Sequence, residues 1–281
     1  MIEGEDGPDA WREMVPSSRL AAHKHARGHV LVVSGPEFRT GAARLAARAA
    51  ARGGAGLVTI AGDAAALRVH AARVDAIMLA EAATPAAVEA LLLAEPRYRV
   101  VVLGPAAGVG PDTIARTRAV ARAGRALVLD ADGLTSLVGR VSLLAGVIRR
   151  GGGPVVLTPH EGEFERLFGP VGPDRPAAAL AAAAATGAVV VLKGPRTAIA
   201  APDGRVATSG IGPPWLATAG TGDVLAGLIA AMLARGAPVF EAARAGVWVH
   251  GMAARAFGPG LIADDLPDLV PGVLASLEGV S

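Results

Sequence analysis

The chain has 281 residues, of which 52% are apolar and only 3% aromatic, with a formal net charge of +2 and no cysteine. It also contains no asparagine and no glutamine, and Lys24 and Lys193 are its only lysines. Disulfides, thiolate nucleophiles, cysteine-held zinc and iron–sulfur clusters, and N-glycosylation are therefore all excluded.

Taken in chain order, an irregular first segment of about 20 residues gives way to short β-branched runs separated by alanine-rich, helix-forming stretches. Strands are predicted at His29–Val33, Gly56–Ala61, Val100–Gly104, Ala126–Asp130, Val155–Thr158 and Val189–Lys193, with a further one at Asp75–Leu79. A hairpin is expected from Thr197–Ala201 and Arg205–Thr208, turning on Pro202-Asp203-Gly204. Helices are predicted near Gly41–Arg52, Pro85–Ala94, Pro111–Ala123, Gly162–Phe168 and Pro176–Ala185. After the hairpin only helices follow, near Asp223–Ala234, Val239–Phe257 and Pro267–Leu277. Continuously apolar strands alternating with helices imply an α/β fold with a mostly parallel sheet covered on both faces. No linker or repeat interrupts the pattern, so one domain over 1–281 is expected.

Arginines are scattered among carboxylates and no aromatic platform accompanies them, which argues against a nucleic-acid surface. The longest apolar candidate, Ala177–Leu192, is broken by Thr186 and Gly187, so no membrane span is expected. The first residues are acidic and lack a signal pattern. A soluble, cytoplasmic protein is the expectation.

Ligands of open α/β sheets bind beyond the carboxyl ends of the strands, and five strand ends here carry suggestive residues. They are Ser34-Gly35 with Thr40-Gly41-Ala42, the loop Gly104–Gly110, Asp130-Ala131-Asp132, Thr158-Pro159-His160-Glu161-Gly162-Glu163, and Lys193–Thr197. The segment Ala217–Gly227 opens a long apolar helix behind a small-residue loop. Backbone amides around Gly220, Thr221 and Gly222 would form an anion cradle. Asp223 then stands beside a bound phosphate, which suits a base that removes a proton from a substrate hydroxyl; a plain helix cap is the alternative. Neither a P-loop nor a dinucleotide fingerprint is present.

Lys193 is a lysine in a chain that otherwise uses arginine, and a compact ammonium suits a phosphate. Lys24, in His23-Lys24-His25, could merely orient the segment leading into the first strand. His29, His70 and His250 are read as structural. His160 is distinguished by Glu161 and Glu163, which could cap a helix or hold Mg²⁺ through water; Asp130 and Asp132 carry the same two readings. No protein-only metal cage is expected.

These motifs together resemble the ADP/ATP-dependent NAD(P)H-hydrate dehydratases of the ribokinase-like superfamily. The resemblance runs from about His23 to Pro267. It rests on His23–His29, Thr40–Ala43, Gly53–Thr59, Gly104-Pro105 with Gly108–Gly110, Leu129–Asp132, Leu157–Phe164, Lys193–Thr197 and Leu216–Gly227. It implies a ribokinase-like three-layer αβα sandwich and repair of (S)-NADHX and (S)-NADPHX. The substrate hydroxyl would be phosphorylated and the phosphate eliminated, giving AMP from ADP, with Mg²⁺ and ADP (or ATP) as cofactor and co-substrate. By the same resemblance Asp223 is the general base and a substrate contact. Ala42, Gly104, Gly108, Gly110 and His160 bind the hydrate, while Lys193, Gly194, Pro195, Arg196, Thr197 and Gly222, with Gly220 and Thr221, bind the nucleotide. A separate epimerase as partner and a homotetramer are further implications. Where many relatives carry an asparagine, this chain has Ile211 or Gly212. The alternatives are a ribokinase-like kinase of a small alcohol, such as a hydroxymethylpyrimidine or thiazole vitamin precursor, and a catalytically silent nucleotide-binding regulator.

Overall fold

The β-branched runs become the strands of one nine-stranded sheet with the order β3-β2-β1-β4-β5-β6-β7-β8-β9 in the computed structural model, which describes residues 6–17 and 24–279. In chain order the elements are β1 (His29–Val33), α1 (Gly41–Arg52), β2 (Leu57–Gly62), α2 (Ala64–Ala71), β3 (Met78–Glu81), α3 (Pro85–Ala94), β4 (Tyr98–Leu103) and α4 (Pro111–Arg122). Then come β5 (Ala126–Leu129), α5 (Asp132–Thr135), α6 (Val141–Gly151), β6 (Val155–Leu157), α7 (Glu161–Phe168), α8 (Arg175–Thr186) and β7 (Val189–Leu192). The hairpin β8 (Thr197–Ala200) and β9 (Val206–Ser209) precedes α9 (Thr221–Ala234), α10 (Val239–Phe257) and α11 (Leu266–Leu277). Pairing is parallel from β3 through β7, while β7–β8 and β8–β9 are antiparallel.

Period-two alternation sorts the strand residues onto two faces. Val30, Val32, Val100, Val102, Val128, Val156, Val189 and Val191 join a core with α1, α9, α10 and α11. Leu31, Leu103, Leu127, Leu129, Leu157 and Leu192 point the other way, into a core with α3, α4, α6, α7 and α8. Helices thus cover both faces of the sheet, giving the expected three-layer sandwich.

Three elements were not legible in the sequence. The helices α2 and α6 lie where no helix was expected, and so does the one-turn α5. The strand expected at Asp75–Leu79 is displaced to Met78–Glu81 at the sheet edge, where only β2 constrains its register. Of the N-terminal segment, residues 6–17 are described. They dock by the buried Trp11, which packs edge-on to Trp248 at 5.9 Å, and by the buried Asp6–Arg244 ion pair.

Candidate active site

Because β1, β4, β5, β6 and β7 are adjacent and parallel, their carboxyl ends share one edge of the sheet. Two helices bring their first turns to that edge as well. A Cβ built on Gly220 would meet Leu45 Cδ1 at 2.8 Å, one on Gly227 the Ala46 carbonyl oxygen at 2.1 Å, and one on Gly53 Ala231 Cβ at 2.7 Å. The helices α1 and α9 therefore run side by side in the same direction, nearly backbone to backbone. Ala42 lies in the first turn of α1 and Asp223 in the first turn of α9.

Lys193 follows β7 directly, and its ammonium donates to Asp130 Oδ1 at 2.9 Å. The Asp130 side chain is only 2% exposed. Lys193 N donates to the Pro159 carbonyl at 2.8 Å and a bridge links His160 to Lys193, which draws the ends of β6 and β7 together. A Cβ on Gly222 would stand 3.3 Å from Lys193 Nζ and 3.6 Å from Asp130 Oδ2, so glycine keeps the space above this pair open. Arg175 donates to the Lys193 carbonyl at 2.9 Å and pairs with Glu161. In the turn that follows, Thr197 Oγ1 donates to the Gly194 carbonyl at 3.1 Å, leaving Pro195 and Arg196 exposed at its tip.

The electrostatics follow from this crowding. Burial pushes the Asp223 carboxyl up to about 7; the nearby Asp130 charge adds to the rise and the Lys193 ammonium opposes it. Burial alone would weaken the Lys193 ammonium, but Asp130, Glu163 and Asp223 together hold its pKa above the usual lysine range. His250, on α10, is buried and lowered to about 4 by desolvation; a hydrogen bond with the Thr221 backbone opposes this and the Lys193 charge adds to it. Its imidazole is therefore neutral beside the start of α9.

On the other half of the site the backbone is unusual. Gly104 has φ 125°, and a Cβ there would come within 1.8 Å of the Asp130 carbonyl oxygen. Gly108 N donates to Asp132 Oδ2 at 2.9 Å and Gly110 N to Ser136 Oγ at 3.0 Å, which pins the loop after β4. Between the two aspartates Ala131 adopts φ 48°, ψ −119°, a conformation costly for any residue with a Cβ. His160 caps α7 in a reciprocal box: its own N–H donates to Glu163 Oε2 at 2.9 Å, and Glu163 N donates to His160 Nδ1 at 3.3 Å. Its ring stays 55% exposed at the same edge.

The expected site residues thus fall together: Ala42, Gly104, Gly108, Gly110, His160, Lys193, Gly194, Thr197, Gly220, Thr221, Gly222 and Asp223 line one rim, with Pro195 and Arg196 at its exposed margin. Lys24 lies elsewhere. Its carbonyl sits under Gly56, ahead of β2 at the opposite edge of the sheet, and His23 is outside the described residues. Ile211 and Gly212 rest against Gly251 of α10, and the Ile211 carbonyl accepts from Arg255 Nε at 2.7 Å. His29 and His70 are buried and bonded to Thr59 and Ser34, each at 2.8 Å, as structural histidines are. What sequence reasoning missed is the Asp130–Lys193 pair; the Asp130-Ala131-Asp132 motif was visible, but not which partner each carboxylate takes.

No group of three or more histidine or carboxylate side chains among the described residues could hold a metal ion. Asp130 is engaged by Lys193, Asp132 by Gly108, Glu161 by Arg175 and Glu163 by His160. No helix among the described residues is long and apolar enough to cross a membrane.

A family model described as NAD(P)H-hydrate dehydratase matches residues 30–268. The bifunctional NAD(P)H-hydrate repair enzyme of Salinibacter ruber is 38% identical over 289 aligned positions, covering 96% of this chain and 52% of that protein. The chain spans about half the length of the curated relatives it matches. Among solved structures, the ADP/ATP-dependent NAD(P)H-hydrate dehydratase from Bacillus subtilis, co-crystallised with ATP and Mg²⁺, superimposes with a TM-score of 0.85 at 28% identity, over 99% of this chain and all of that one (100%). A ribokinase-like protein from Enterococcus faecalis, 24% identical with a TM-score of 0.82 over 97% of this chain and 95% of its own, shares the fold.

Proposed function

Because the chain belongs to the NAD(P)H-hydrate dehydratase family, we propose that it repairs (S)-NADHX and (S)-NADPHX by nucleotide-dependent dehydration, as a carbon–oxygen lyase. The observation that carries this is the placement of Asp223, a partly buried carboxyl in the first turn of α9 next to Gly222, where a Cβ would stand 3.3 Å from the Lys193 ammonium; burial pushes the Asp223 pKa up to about 7. A general base works best with a pKa near the working pH. Phosphate-facing amides at a helix start and one ammonium suit the transferred group.

In this mechanism Asp223 takes the proton of the ring hydroxyl as that oxygen attacks the terminal phosphorus of ADP or ATP. The bond to the bridging oxygen breaks and its electron pair leaves on the nucleotide, which becomes AMP when ADP is used. The hydroxyl is now a phosphate ester. The ring nitrogen lone pair expels phosphate, and loss of a proton from the adjacent carbon restores the dihydropyridine. Lys193 and the amides of Gly220, Thr221 and Gly222 steady the phosphoryl oxygens, while Gly194, Pro195, Arg196 and Thr197 contact the nucleotide. Ala42, the Gly104, Gly108 and Gly110 backbone and His160 orient the hydrate. Mg²⁺ carried by the nucleotide would offset charge on the phosphates.

The reading takes residues 1–281 as one dehydratase domain, cytoplasmic and homotetrameric, with the other hydrate epimer supplied through an epimerase partner. A kinase of a small alcohol is not favoured, since the family match spans residues 30–268 rather than the α9 segment alone. The test is direct. Purified protein with ADP or ATP and Mg²⁺ should regenerate the near-ultraviolet absorbance of reduced nicotinamide from (S)-NADHX and release phosphate. Turnover of a thiazole or pyrimidine alcohol, with none of the hydrate, would overturn the reading.

A further inference from the structure

The turn Asp130-Ala131-Asp132 does two unlike things within three residues. Asp132 reaches forward to the Gly108 amide, on the side assigned to the hydrate. Asp130 reaches back to the Lys193 ammonium, on the side assigned to the nucleotide. Only a sharp reversal between them allows this, and Ala131 supplies it at φ 48°. A backbone outlier of this kind persists where the surroundings over-determine it, and such outliers cluster at functional sites. The Asp130 carbonyl is also pressed against Gly104, where no Cβ could fit. Asp130 is thus held on both sides, and it transmits its position to one mobile group, the end of a lysine side chain.

A lysine has four rotatable bonds, and an unheld ammonium at a strand end would sample many positions. Here it is fixed at 2.9 Å from a carboxylate that is itself buried, next to the gap that Gly222 leaves open. We propose that Asp130 is a positioning residue for phosphoryl transfer, holding the Lys193 ammonium at the point where the transferred group passes between nucleotide and hydrate. The carboxylate has a second consequence. The charged groups facing Asp223 are Asp130, beyond β5, and Lys193, beyond β7; His250 on α10 and Glu163 on α7 face Lys193. Among these Asp130 is the negative charge that adds to the rise burial gives the Asp223 carboxyl. Positioning the ammonium and adding to the basicity of Asp223 come from the same side chain.

This rests on the dehydratase reading, and one set of measurements separates the two. Wild-type protein is assayed with (S)-NADHX, Mg²⁺ and ADP or ATP across pH, alongside Asp130→Asn. The expected variant is folded, with kcat lowered about 10- to 100-fold, nucleotide KM within about threefold of wild type, and the acid limb of its pH profile moved to lower pH. The limb moves that way because Asp223 loses a neighbouring negative charge. A kcat within about threefold of wild type, or a lowered kcat with the limb unmoved, overturns the positioning role and leaves Asp130 a structural residue. Where Asp130→Asn does not fold, Asp130→Glu carries the test. It keeps the charge and displaces the ammonium, so kcat should fall about tenfold with the limb unmoved, and a wild-type kcat overturns the proposal. Wild-type protein that does not turn over the hydrate at all overturns both readings.

Discussion

The Asp130 carboxylate and the Lys193 ammonium stand 63 residues apart in the chain and 2.9 Å apart in space, meeting over the end of β6. The Asp130 side chain is 2% exposed and that of Lys193 20%. Removing one member of such a pair strands a buried charge, which typically costs 3–5 kcal/mol when burial is complete. Lys193→Met should therefore lower stability by about 3 kcal/mol, read by denaturant unfolding, and raise the nucleotide KM far more than the hydrate KM. Equal loss of both would mean that Lys193 serves the site only by holding it together.

As the proposed base, Asp223 should link activity and stability to pH in opposite directions. The base works deprotonated, so kcat/KM should climb through a pKa of about 7 and level above it. The folded carboxyl lies above its ordinary 3.8, so between those values the native state binds the extra proton and stability falls as pH rises. Asp223→Asn should abolish turnover, be more stable than wild type at pH values above about 7, and lose that advantage towards the ordinary carboxyl range. Thermal unfolding of both proteins across pH tests the sign.

Ala131 is strained because its Cβ occupies a conformation that glycine adopts freely. Ala131→Gly should keep or raise the melting temperature, with a gain of up to about 1 kcal/mol, although glycine loosens the unfolded chain. A clear loss of stability would show that the Ala131 methyl contributes packing that outweighs its strain.

The close approach of α1 and α9 depends on Gly227. A Cβ there would lie 2.1 Å from the Ala46 carbonyl oxygen, a contact with backbone that no side-chain motion can relieve. Gly227→Ala should cost about 1–3 kcal/mol. Because it pries apart the helices that carry Ala42 and Asp223, it should also lower kcat, measured on folded protein below its melting temperature.

Where local chemistry decides a feature, the sequence already carried it. Gly41–Arg52, Pro85–Ala94 and Val239–Phe257 begin and end where periodicity, proline and glycine placed them. The apolar strand runs required a sheet covered on both faces, and the scarcity of lysine drew attention to Lys193. The helix α2, by contrast, is only eight residues long and weakly amphipathic, and α5 is a single turn held by tertiary contacts, so neither carries a strong local signal. The site lies between these cases. Its residue types could be read one strand end at a time, because a strand's carboxyl end is a local feature. Their partners could not. Which carboxylate takes the ammonium, which takes the Gly108 amide, and how far burial raises Asp223 depend on strand order and on the backbone reversal at Ala131. Those are long-range relationships, with energies set by neighbours that a linear reading places tens of residues away.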